Sequence, residues 1–405
     1  MRTATADDWP AITDLLAGAF ADDFPEEERD RDRIVFEPER TLVMLDGDQF
    51  VGNAAAYTRD LTVPGEAAVA AGHVTLIGVR PTYRRRRILT RLVEQQLRDI
   101  RAAGEPLAVL WASEGRIYQR YGYGMASTKL LLSMDRREVR LLQPPAAAGE
   151  GRLRDAALAD VRKELAQVYE RMRLHRPGWS TRDERWWEYL TTEPASVRRG
   201  ATEAQALLYE GPDGCEGYAV WRTKANWTNT GPAGEAQVRE LVAASVPAYL
   251  ALWQFLLTVD LTRTVRYWCA ATDEPLLHLV NEPRHLGGLY GDGLWVRLVD
   301  LPAALTARRY AAPVDVVFEV ADGLLPENAG RWRLRGSAEG ATCTRTDDPA
   351  DLVCGIAELS AAYLGGTSLA QLADGGRVRA ATPGSLRSAS TAFGWHRAPS
   401  ALEIF

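Results

Sequence analysis

Apolar positions in the N-terminal third of the chain switch between two periods. Ile12, Leu15, Leu16 and Phe20 recur at helical spacing, and Asp8 with Pro10 gives that helix its start signal. Thr41–Leu45 and Phe50–Tyr57 read as strands across an Asp46-Gly47-Asp48 turn. Ala71–Val79 is a further strand, Arg87–Ala103 a helix and Leu107–Trp111 a short buried strand. Tyr118–Tyr123 lies near a helix end, and Thr128–Met134 returns as a strand. Gln143–Gly151 is a Pro/Ala/Gly linker. Beyond it, Gly217–Arg222 and Val238–Ala243 read as strands, and Pro247–Thr258 as a helix with Leu250, Trp253 and Leu257 on one side. A strand followed by a helix thus occurs at Val74–Ala103 and again at Val238–Thr258, which predicts a duplicated domain. A third segment starts near Trp295, with strands at Val316–Val320 and Trp332–Leu334 and helices at Pro349–Tyr363 and Thr367–Asp374. Glu403-Ile404-Phe405 reads as extended.

Composition narrows the class. The 405 residues are 46% hydrophobic and 25% charged, which excludes a disordered chain and suggests two to three domains at roughly 150 residues each. The net charge of -6 supplies no global field for nucleic acid. No apolar run approaches the roughly 18 residues of a membrane span, and the N-terminus lacks a signal-peptide core, so a cytoplasmic location is expected. Cys215, Cys269, Cys343 and Cys354 form no C-x-x-C pair, and the five histidines lack metal-ligand spacing, so neither a disulfide framework nor a metal site is expected. The twelve tryptophans point to large cores or an aromatic pocket.

The most informative stretch runs from Leu76 to Leu89. A buried strand ends at Pro81, four arginines follow (Arg84 to Arg87), and a helix begins. Helix starts present unpaired N–H groups and a positive dipole end, and arginines add charge beside the same anion, so the stretch suits a pyrophosphate. A solvated basic helix start accounts for the arginine run equally well. A nucleic-acid patch is a third reading, weakened by the thin aromatic content, with Tyr83 alone.

This stretch resembles the GNAT superfamily of acetyltransferases, in which a splayed strand leads into Arg/Gln-x-x-Gly-x-Gly/Ala and a helix. Arg84 occupies the first motif position, Arg87 stands at the glycine and Leu89 at the second small residue. Arginine brings a Cβ that narrows the approach to phosphate, and a cation that compensates. The resemblance is to the Eis (enhanced intracellular survival) acetyltransferases in particular. It is carried by Val79-Arg80-Pro81-Thr82, by Asp60 to Glu66, by Ser113 to Gly124, by Asp292 to Arg297, by Tyr363 to Gly366 and by the terminal phenylalanine, collinear along nearly the whole chain.

The resemblance implies an α/β (α+β) architecture: a GNAT domain over 1–147, a degenerate GNAT-like domain over 148–294 and a sterol-carrier-protein-like domain over 295–405. It implies an N-acetyltransferase using acetyl-CoA, with no metal. It makes Tyr118 the general acid and the carboxylate of Phe405 the general base. Ile77, Val79, Arg84, Arg85, Arg87, Ile88, Leu89 and Ser113 would hold acetyl-CoA, the two strand residues through their backbone. Only the first domain is expected to bind it, because the second lacks the motif. Trp9, Phe20, Asp22 and Glu403 would face the acceptor, and the acid-rich segment Asp22–Asp32 would attract a small cationic amine such as an aminoglycoside, a polyamine or a lysine side chain. A solvated helix of alternating charge explains Glu26 to Asp32 as well. Ile34-Val35-Phe36 replaces an expected tryptophan, so a different pocket shape is expected. No nucleic-acid or membrane partner is expected, and the family implies a homo-oligomer, a hexamer. The competing reading is a non-catalytic binding protein of the same fold, in which Arg87 has abolished productive acetyl-CoA binding.

Overall fold

A computed structural model describes residues 1–142, 151–212 and 214–405. Apart from Gly151, the expected linker lies outside the described residues. No helix among them is long and apolar enough to cross a membrane.

Three sheets of five or more strands organise the described residues. The first has seven strands in the order Arg2–Thr3, Thr41–Asp46, Gln49–Val63, Ala67–Val79, Leu107–Trp111, Leu294–Leu298 and Gly124–Met125. The second, also seven-stranded, runs Leu289–Asp292, Thr128–Asp135, Thr262–Ala271, Gly234–Ala243, Gly214–Lys224, Gln205–Gly211 and Arg152–Ala157. The third has five strands around Val314–Ala321. Sheet membership crosses the expected domain boundaries twice. Thr128–Asp135 leaves its sequence neighbours to pair in the second sheet, and Leu294–Leu298 returns to the first, against Leu107–Trp111. Trp295, read above as the start of a third segment, is thus a residue of the first sheet.

Local patterning explains the elements. The helix Ile88–Ala102 buries Ile88, Leu92, Val93, Leu97 and Ile100, a stripe at steps of three and four widened by the adjacent pair Leu92 and Val93, each worth about 1.5–3 kcal/mol when removed from water. The sheet beneath makes room for it: a Cβ at Gly72 would come within 2.6 Å of Ile100 Cδ1, and one at Gly52 within 2.6 Å of Ile88 Cγ2. The expected helix Pro349–Tyr363 is a strand, Leu352–Gly355, followed by a helix, Ile356–Ala362. Leu352 and Cys354 are buried at alternate positions and pair in parallel with Phe318–Ala321, so sheet pairing overrides the helical reading.

The third domain's centre is filled. Tyr310, Phe318, Tyr363 and Phe393 are fully buried. Arg308, also fully buried, donates to the carbonyls of Tyr363, Phe393 and Arg309, and lies 4.8 Å and 4.9 Å from the ring centroids of Tyr310 and Phe393. The C-terminal segment then runs back to the first two sheets. Ala398 N donates to Asp273 (3.0 Å), Ser400 N to Pro177 O (3.0 Å), and Cys269 Sγ to Ala401 O (2.7 Å).

Candidate active site

The site begins with a bulge. Ala67–Val79 pairs antiparallel with Gln49–Val63 over most of its length, but the register slips between Asn53 and Ala55. Opposite the slip, Leu76 adopts a left-handed φ of 48°, held by the buried Asn53 side chain, whose Nδ2 donates to Leu76 O (2.7 Å). A bulge bends a strand. Its parallel pairing with Leu107–Trp111 is confined to Ala71–His73 against Leu107–Val109. Beyond that point the strands diverge, and the edges at Ile77–Val79 and Ser113 flank a cavity of about 890 Å³.

The turn after the strand shapes one end of this cavity. Pro81–Tyr83 forms a single 3₁₀ turn, and Arg85 (φ 64°) and Arg87 (φ 60°) are left-handed. Arg87 therefore keeps the backbone that a glycine adopts freely, at a cost of roughly 1–2 kcal/mol for a residue with a Cβ. The helix start at Ile88 has no side-chain cap, so its first amides stay available at the positive end of the dipole. The arginines divide their work. Arg84 donates to Ala19 O (3.1 Å), Arg86 lies 4.7 Å from the Tyr83 ring centroid, and Arg84, Arg85 and Arg87 line the cavity.

Tyr118 ends the short helix Gly115–Tyr118 and also lines the cavity. It is buried, with its ring edge-on to Tyr123 at 5.9 Å. Burial raises its hydroxyl above the ordinary value, and a hydrogen bond from Ser113 works in the opposite direction. The phenol is therefore protonated at neutral pH and can donate. Tyr121 also reaches the cavity, its hydroxyl 3.3 Å from Thr90 Oγ1. Tyr123 is fully buried and packs in the core.

Of the expected site residues, Ile77, Val79, Arg84, Arg85, Arg87, Ile88, Leu89, Ser113, Tyr118 and Phe20 meet at this cavity. Four do not line it. Trp9 is core: it packs on Phe36 (4.6 Å) and donates to Arg29 O (3.1 Å). Asp22 is exposed just past Phe20 and accepts from Asp23 N (2.9 Å). Within the acidic helix Glu26–Arg33, Glu27 accepts from Ser196 N (2.9 Å) and Asp32 pairs with Arg31 (2.6 Å), so part of its charge is spent internally.

Glu403 and Phe405 belong to the C-terminal segment. The Glu403 carboxylate accepts from Arg59 (2.6 Å) and, through its other oxygen, from Arg182, which also pairs with Glu240. Burial opposes its charge, but Arg182 and Arg59 outweigh that and hold the carboxyl at about 2. The Phe405 ring lies 4.7 Å from His73 and packs against a cluster of Val35, Tyr57 and Trp186. His73, whose Nδ1 meets Ala71 O (3.0 Å) and whose Nε2 meets Ser180 Oγ (2.7 Å), is held down at about 3 by burial and by Arg59. Arg59, His73, Ser180 and Arg182 went unnoticed in the sequence. Their only local signal is a polar residue inside an apolar strand, as at His73 in Ala67–Val79.

The second sheet carries the same divergence. Gly234–Ala243 pairs in parallel with Thr262–Ala271 only as far as Val238 and Tyr267. Past that point lie Glu240 and Cys269, and both are tied to the C-terminal segment, at Glu403 through Arg182 and at Ala401 directly. Leu402 packs in the same core as Val242. At the next helix start, Ser245 accepts from Ala248 N (3.3 Å) and donates to Glu216 (2.6 Å).

Comparison with known proteins agrees with this geometry. Residues 1–126 match an acetyltransferase (GNAT) domain, 178–298 a second acetyltransferase (GNAT) domain, and 301–401 a sterol carrier protein domain. The fold and its domains define a GNAT-type N-acetyltransferase: tandem GNAT domains followed by a sterol-carrier-like one. The chain is 43% identical to an "uncharacterized N-acetyltransferase" of Streptomyces avermitilis over 98% of each chain. It is 34% identical to the N-acetyltransferase Eis of Mycobacterium tuberculosis, over 96% of this chain and 95% of that one. The crystal structure of Eis1 from Mycobacterium abscessus matches with a TM-score of 0.85 at 34% identity, over 99% of this chain and 98% of that one. The chain belongs to the Eis family of GNAT acetyltransferases. Among the described residues, no group of three or more His, Cys, Asp or Glu could hold a metal ion.

Proposed function

We propose that this acetyltransferase moves an acetyl group from acetyl-CoA to a primary amine, with Tyr118 as general acid and the Phe405 carboxylate as general base. One observation carries the reading: a single cavity receives the diverging strand edge, the uncapped helix start and the Tyr118 phenol. The residues suit the cosubstrate. The backbone at Ile77 and Val79 offers the pantetheine amides the pairing that Leu107–Trp111 no longer supplies. The amides of Ile88 and Leu89, with the guanidiniums of Arg84, Arg85 and Arg87, match a pyrophosphate. Ser113 lies beside Tyr118.

In this mechanism the acceptor ammonium first gives a proton to the Phe405 carboxylate, directly or through water. The neutral nitrogen then attacks the thioester carbonyl. A C–N bond forms as the C–S bond breaks, and Tyr118 returns a proton to the departing thiolate. Their ordinary pKa values, about 10 for a phenol and about 8.5 for a thiol, make that transfer accessible. Glu403 positions the base, since its two arginine partners fix the segment that ends in Phe405. Asp22 and Asp23, next to Phe20 at the cavity mouth, draw a cationic amine: an aminoglycoside, a polyamine or a lysine side chain. A cytoplasmic homo-oligomer, hexameric as the family resemblance implies, is the expected form. The non-catalytic alternative rests on Arg87; its left-handed backbone, the conformation a glycine adopts freely, supports the catalytic reading.

Steady-state kinetics over a panel of amines tests the two roles. Tyr118→Phe is expected to lower kcat on the order of 10²-fold with KM little changed. A single glycine added after Phe405 is expected to impair turnover comparably. Normal turnover in either protein removes that residue from the mechanism.

A further inference from the structure

We propose that the face of the second sheet beside Ile404 is a carboxylate-binding site, and that the amine this enzyme accepts carries a carboxylate of its own. The inference rests on the acetyl-transfer reading above, because Ile404 adjoins the residue given the base's role.

Three neighbouring strands build the site. Arg222 stands opposite Gln237, and Gln237 opposite Arg266, so the three lie in register across the sheet. The register shifts between Val220 and Trp221, leaving Arg239 with no residue opposite. A bulge of this kind re-aims a side chain. Two residues beyond Arg266, Trp268 lies on the same face by strand alternation. The helix Glu26–Arg33 brings Arg31 across from the first domain.

These residues enclose two adjoining cavities of about 590 Å³ and about 200 Å³, both lined by Arg31, Arg239, Trp268 and Ile404. Five guanidiniums line the larger one, those of Arg31, Arg199, Arg222, Arg239 and Arg266, against two carboxylates, Glu28 and Glu193. Glu193 cannot balance its neighbours. Its Oε1 takes both Arg222 (2.7 Å) and Arg239, while its Oε2 is occupied by Ala204 N (2.8 Å). One negative charge thus faces two positive ones. Arg199 is exposed and forms no ion pair among the described residues. Arg266 pairs with Glu235 at 3.2 Å, but its side chain is 57% exposed.

A polycation would meet repulsion here. A carboxylate would meet forked donors, in a cavity sized for a small molecule. Asp22 and Asp23, exposed just past Phe20, and this basic face together suit a zwitterionic acceptor.

Cadaverine and lysine form a matched pair, since lysine is the same diamine with one carboxylate added. With the full-length protein, kcat/KM is expected to favour lysine by about tenfold or more, the worth of one charge-assisted hydrogen bond. The double variant Arg239→Ala, Arg266→Ala should bring that ratio close to one; it leaves Arg222 to keep Glu193 paired. Calorimetry with glutarate, a dicarboxylate that cannot be acetylated, reads the site without turnover. Wild-type binding should weaken about tenfold in the double variant. Equal use of cadaverine and lysine by the wild type, or glutarate binding indifferent to the two arginines, overturns the proposal. If glutarate binds through these arginines and no amine is acetylated, the anion site stands and the acetyl-transfer reading falls.

Discussion

The two GNAT sheets open in the same way and are filled differently. In each, a pair of parallel strands diverges just before a helix begins. The first opening is a cavity: the helix start at Ile88 is uncapped, arginines surround it, and a protonated phenol stands in the wall. At the second, the chain's own Ala401–Glu403 is held by Cys269, Val242's core and the Arg182–Glu240 pair. Its helix start is also spent, since Ser245 caps it and Glu216 places a carboxylate beside it. A phosphate at that helix start would meet a capped amide and the Glu216 carboxylate. The second opening thus holds a segment of the chain itself, and that segment carries Phe405 to the first domain, against His73 and Tyr57.

Acetyl-CoA binding is the strongest way to break this comparison. Calorimetry should give one site per chain, and Arg85→Ala with Arg87→Ala should weaken binding on the order of 10²-fold, at about 1.5 kcal/mol for each lost charge-assisted bond. A second site would mean that the filled opening still binds. Next in size, Leu402→Ala empties part of the second opening and should lower stability by about 2–3 kcal/mol in urea denaturation. The same variant should slow turnover if the segment positions the base.

Acid sharpens the picture further. Between pH 6.5 and about 3 the unfolded chain protonates His73 and the folded chain does not. Stability therefore falls as pH falls, by at most about 1.4 kcal/mol per unit. Glu403 adds a loss of the same sign, but only between 4.5 and about 2. Glu274, raised to about 6 by burial, works in the opposite direction over part of this range. The histidine's share is therefore the difference between the pH 7 to pH 5 slopes of the wild type and His73→Gln, and the variant should lose the fall toward acid. The smallest expected effect is at Arg87, where Arg87→Gly relieves the left-handed backbone and should raise stability by about 1 kcal/mol. A loss of stability would show that the arginine side chain holds the turn.

Most of the first cavity was legible in the sequence because it is built from neighbours in the chain. The strand, the arginine turn and the helix lie within Ala67–Ala102, and Ser113 and Tyr118 follow one strand later. Trp9 misled because an aromatic beside an acidic segment reads alike as a pocket wall or as core, and only its contact with Phe36 decides. Glu403 was legible as an acid near the terminus, but its partners Arg59 and Arg182 are 344 and 221 residues away.

Periodicity and motif thus determined most of the elements, the tandem architecture and the arginine turn, since each depends on spacing over a few residues. The tertiary structure decided the exchange of Thr128–Asp135 and Leu294–Leu298 between sheets, the divergence of the strands, and the occupant of each opening. Those depend on long-range register and on which distant side chains satisfy a buried charge, and no local pattern encodes either.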